Sequence, residues 1–81
     1  MAKFKVEIEG ETNRADFIVE AHNAEQARTL WYAVIEPLNK DRIAEELGED
    51  PEDHFLSIVS ITPAEDDDIE YYTELDTGEE R

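Results

Sequence analysis

Cysteine is absent from the 81-residue chain, which removes any disulfide framework and any thiolate metal site and fits a reducing compartment. Also missing is an apolar run of the roughly 20 residues that a membrane-crossing helix needs. The opening residues Met1-Ala2-Lys3-Phe4-Lys5-Val6-Glu7 hold no apolar stretch of signal-peptide length. The expectation is a soluble, cytoplasmic, single-domain protein with one modest core. Histidine is scarce. His22 and His54 have no second histidine at ligand spacing, and read as boundary residues rather than ligands or bases. Walker, nucleophile-elbow and dinucleotide-binding patterns are missing too. A calcium loop starting at Asp66 would need glycine sixth and glutamate twelfth, where Tyr71 and Thr77 stand. These absences point away from catalysis and from any metal or other cofactor. A small enzyme or metal-binding domain using clustered carboxylates is the remaining chemical alternative.

Basic residues are the scarcest relative to their opposites: 7 Lys and Arg against 23 Asp and Glu, a net charge of −16. Such a chain is repelled by nucleic acid and anionic membranes and drawn to basic protein surfaces. The excess is lopsided. Residues 1–40 hold 7 acids and 5 bases, whereas residues 41–81 hold 16 acids and 2 bases. Adaptation to high salt, which also loads surfaces with acids, is the other reading of this composition, and the concentration of the excess in one half counts against it. The balance of 7 isoleucines to 4 valines is also unusual for salt-adapted proteins.

What is present patterns as an α+β domain. Phe4, Val6 and Ile8 alternate with Lys3, Lys5, Glu7 and Glu9, the period of a strand with one buried face. After turn chemistry at 10–13, Phe17, Val19 and Ala21 alternate with Asp16, Ile18 and Glu20, so an antiparallel hairpin is expected. Asn23, with Gln26 three residues on, predicts a helix start. Ala27, Leu30, Trp31, Val34 and Leu38 follow at helical spacing, and Pro37 should kink or stop the helix near Glu36. A second short helix is expected to start at Asn39, carry Ile43 and Leu47, and stop at Gly48. Residues 49–53 read as a loop, and 55–62, apolar on both parities, as a central strand ended by Pro63. Residues 64–68 read as an acidic turn, and 69–75 alternate as a candidate fourth strand. The expected architecture is a small antiparallel sheet of three to four strands with one or two helices on one face, in the order β-β-α-(α)-β-(β). Residues 1–63 form the core and 64–81 an acidic C-terminal segment with a frayed tail.

The candidate partner-binding residues are Glu45, Glu46, Glu49, Asp50, Glu52 and Asp53 around the second helix, and Glu65, Asp66, Asp67, Asp68, Glu70 and Glu74 beyond the strand ended by Pro63. Duplex DNA carries one negative charge per roughly 1.7 Å of axis. Carboxylates on a helix, a loop and a strand can approach that density and compete for a basic groove. The plainer alternative is a solvated face or disordered acidic tail. Of Tyr71 and Tyr72, alternation turns one outward among carboxylates, where it suits an arginine. Tyr72 is the one assigned to the binding set, and Tyr32 is a second exposed candidate, with packing at the sheet edge the alternative for both.

In size, charge and α+β organisation the chain resembles the small acidic proteins that phages and mobile elements use against host defences, above all anti-CRISPR proteins of the DNA-mimic kind. The residues carrying the resemblance are Glu45-Glu46, Glu49-Asp50-Pro51-Glu52-Asp53 and Glu65-Asp66-Asp67-Asp68. The resemblance implies an inhibitor in the host cytoplasm, a monomer or small homo-oligomer, that binds a CRISPR effector and blocks access of target DNA. Restriction enzymes, histone-like proteins and repair enzymes are alternative targets. The competing expectation is an acidic adaptor that binds a basic partner without displacing nucleic acid.

Overall fold

The computed structural model describes residues 2–10, 13–48, 57–75 and 77. Strand β1 (Ala2–Glu9) pairs antiparallel with β2 (Arg14–Ala21), setting Phe4 opposite Val19 and Val6 opposite Phe17. The hairpin is closed by the Gly10 N–H donating to the Asn13 carbonyl at 2.8 Å. Its alternating apolar residues are buried on one face, as the period-two pattern requires.

Helix α1 (Ala24–Leu30) starts where the capping residues place it: Asn23 Oδ1 accepts from the Gln26 N–H at 2.7 Å, and the Gln26 side chain accepts from the His22 N–H. Pro37 does not stop the helix. A π-helical turn at Trp31–Ile35, in which the Glu36 N–H reaches back to the Trp31 carbonyl, leads directly into α2 (Glu36–Leu38). Proline lacks the N–H and its ring presses on the carbonyl four residues back, and the wider turn accommodates both. The break falls at Asn39 instead, whose side-chain amide donates to the Ile35 carbonyl at 2.9 Å. Helix α3 (Lys40–Leu47) buries Ile43, Ala44 and Leu47 and ends at Gly48, whose φ of 74° is the left-handed conformation that favours glycine there. Trp31 lies fully buried between this helical layer and the sheet, its ring 6.2 Å from that of Phe17.

Strand β3 (Ser57–Pro63) pairs antiparallel with β1 on the side away from β2, so it is an edge strand rather than a central one. Expected core residues Phe55 and Leu56 lie outside the described residues. Three features blunt the edge: a bulge at Val59, Pro63 with no N–H, and the Tyr32 hydroxyl accepting from the Ile58 N–H at 3.3 Å.

The C-terminal segment departs most from expectation. Helix α4 (Asp66–Tyr71) replaces the acidic turn and most of the expected strand, and only Thr73–Glu74 form β4. The cause is a capping box: the Asp68 carboxylate accepts from the Glu65 N–H at 3.1 Å while Glu65 accepts from the Asp68 backbone. Three aspartates in the first turn also suit the helix dipole. Strand β4 pairs parallel with β2, so the sheet is mixed, with order β3-β1-β2-β4. Residues 64–75 therefore cross the sheet as a strap on the face opposite the other helices. Under the strap Ile18 is fully buried, although its neighbours Asp16 and Glu20 are polar. Beyond it the Leu75 N–H donates to the Ile18 carbonyl at 2.9 Å, and the Leu75 side chain enters the main core. Strap and core are one folded unit. Among the described residues, no helix is long and apolar enough to cross a membrane.

Candidate functional site

The strap is held by the outer face of the hairpin. Residues of one parity in β1 go to the core, which turns Lys3, Lys5 and Glu7 to the other face, where the two lysines meet the strap. The Lys3 ammonium meets Glu74 at 2.9 Å, and the Lys5 ammonium lies 4.0 Å from Asp68 and 5.7 Å from the centre of the Tyr72 ring. Tyr71 packs edge-on against Tyr72, with ring centroids 4.8 Å apart. On β2, the Asp16 carboxylate lies beside the Tyr72 hydroxyl.

This geometry sorts the sequence-predicted residues. Glu65 and Asp68 cap α4, Asp68 also pairs with Lys5, and Glu74 pairs with Lys3. Asp66, Asp67 and Glu70 are exposed on α4, and Glu45 and Glu46 on α3. The Thr73 hydroxyl donates to Glu46 at 3.4 Å, which brings the α3 acids alongside the end of the strap. Glu49, Asp50, Glu52 and Asp53 lie outside the described residues. Tyr72 is half-buried, and its neighbour Tyr71 is the outward ring, 81% exposed. Tyr32 is half-exposed over β3. Lys3, Lys5 and Asp16, which anchor the strap, were not in the predicted set.

Six of the described candidate acids, Glu45, Glu46, Glu65, Asp66, Asp67 and Glu70, make no ion pair among the described residues, where the pairs fall to Glu7, Glu9, Asp68 and Glu74. The same residues contain no group of three or more side chains suited to holding a metal ion. No protein-family model matches the chain, and no curated protein or solved structure matches it either.

Two titrating groups tie strap stability to pH. The hydrogen bond and charge of Glu74 raise the Lys3 pKa. Desolvation, followed by the Asp16 carboxylate, raises that of Tyr72 against the smaller opposing pull of Lys5. Both groups bind protons more tightly folded than unfolded. Their contributions are therefore complete below the ordinary values near 10 and fade as pH climbs through the raised ones. An absorbance titration should show a tyrosine step above the ordinary value that vanishes in Tyr72→Phe. Titration of Tyr72 at the ordinary value would mean the strap does not enclose it.

Proposed function

We propose that the chain is a non-enzymatic inhibitor that occupies a basic DNA-binding surface of a host defence complex, such as a CRISPR effector, by presenting carboxylates in place of DNA phosphates. The observation carrying this reading is the set of unpaired, exposed acids on α3 and α4, fixed by two folded elements that meet at Glu46 and Thr73. A disordered tail would lose conformational entropy on binding, whereas a strap already held to the sheet loses less. The net charge of −16 adds long-range attraction to a basic groove and repels nucleic acid itself.

The test is displacement of labelled duplex DNA from an RNA-guided CRISPR effector, a restriction endonuclease and a histone-like protein, at several salt concentrations. Displacement that weakens steeply with salt is expected for at least one of the three. Binding to such a protein without displacement of its DNA would favour the adaptor reading.

A further inference from the structure

We propose that the open groove where the strap meets β2 and α3 is an arginine-accepting site, the anchor point of the acidic surface on its basic partner. The inference rests on the proposed function and specifies the chemistry the partner must bring. The groove, about 590 Å³, is walled by Arg14 and Asp16 of β2, Glu46 of α3, and Tyr71, Tyr72 and Thr73. Three separate parts of the chain build it, so it exists only in the folded protein.

The chain itself shows which ligand such surroundings take. On one side of the tyrosine pair, Lys5 supplies a cation to a tyrosine ring and a carboxylate together, 5.7 Å from the Tyr72 centroid and 4.0 Å from Asp68. The groove brings the same kinds of group, the Tyr71 ring and the carboxylates of Glu46 and Asp16, into one lining. Its own cation, Arg14, is engaged with Glu7 at 3.3 Å and Glu9 at 3.8 Å. The cation that completes the arrangement therefore comes from outside.

Arginine fits better than lysine on two grounds. Its planar guanidinium stacks on an aromatic face while its N–H groups fork to carboxylates, and it is less strongly hydrated than an ammonium. Tyr71 offers such a face, 81% exposed and steadied by edge contact with Tyr72. Glu46 is held at the rim by the Thr73 hydroxyl at 3.4 Å.

The experiment uses two capped tetrapeptides of equal charge, all-arginine and all-lysine, titrated at low ionic strength while amide shifts of residues 71–73 are followed. The arginine peptide should bind about two-fold tighter or more, up to the roughly five-fold that a whole exposed cation–aromatic contact is worth, since lysine gains part of that contact as well. Tyr71→Ala should abolish that preference, Tyr71→Phe should keep it, and Glu46→Gln should weaken both peptides. Tyr71 is too exposed for its truncation to unfold the chain. Equal affinity for the two peptides, or a preference that survives Tyr71→Ala, would overturn the proposal. The outcome separates from that of DNA displacement. Arginine preference without displacement keeps the groove and removes the mimic, while displacement indifferent to Tyr71→Ala keeps the mimic and removes the groove.

Discussion

Trp31→Ala is expected to unfold the domain, or to leave it so weakly folded that the urea midpoint moves close to zero. The side chain is fully buried with its ring tilted against that of Phe17, between the helical layer and the sheet. Removing a buried aromatic of this size costs about 3–5 kcal/mol in transfer energy and residual cavity. A domain of this length has roughly 4–12 kcal/mol in all, at about 0.05–0.15 per residue, and repulsion among the acids keeps it toward the low end. Trp31→Phe should be much milder. The indole Nε1 is buried with no hydrogen-bond partner among the described residues. An unsatisfied buried donor carries a penalty of about 1–3 kcal/mol that phenylalanine does not have, which offsets part of its lost volume. Circular dichroism against urea measures both variants. An alanine variant with an unchanged midpoint would mean that the helical layer does not pack on Trp31 as described.

The hairpin, the helix start at Asn23 and the stop at Gly48 were legible because each depends on neighbours in sequence: alternation, a cap, a glycine. The strap was not, because it depends on a tertiary partner. One residue carried the signal. Ile18 falls on the polar parity of its strand between Asp16 and Glu20, and a fully buried isoleucine there requires a second layer. Lys3 and Lys5 on the same parity are the charges an acidic layer would seek. Alternation at 69–75 suggested a strand, but the pairing of Glu65 with Asp68 as a capping box decided for a helix. Density of charge picked out the acidic candidates, yet it could not separate Asp68 and Glu74, which hold the strap down, from Asp66, Asp67 and Glu70, which face outward.

That division decides how the acidic surface must be tested. Reversing Asp66-Asp67-Asp68 together would break the α4 cap and the Lys5 pair along with the charge array, so a loss of binding would be ambiguous. Reversing Glu7 and Glu9 is a poor control, since both hold Arg14. The informative variant is Asp66→Lys/Asp67→Lys, which spares the cap and the Lys5 pair, compared per charge with Glu25→Lys, likewise an exposed first-turn acid and so subject to the same kind of helix-dipole cost. If the partner's basic groove lies against the strap, attraction at two positions becomes repulsion. Like charges brought together in an interface cost several kcal/mol, so displacement of duplex DNA from the effector should weaken about 100-fold. Its salt dependence should flatten as well, because fewer ion contacts remain to be screened. Glu25→Lys should shift affinity only slightly, through the change in overall charge. Neutralising Asp66 or Asp67 singly to asparagine should have a small effect, since it removes an exposed ion pair worth about 1 kcal/mol at most and adds no repulsion. An equal loss per charge at Glu25 and at Asp66/Asp67 would show that net charge alone drives binding. The carboxylates would then serve as a diffuse field rather than as an array arranged by the strap.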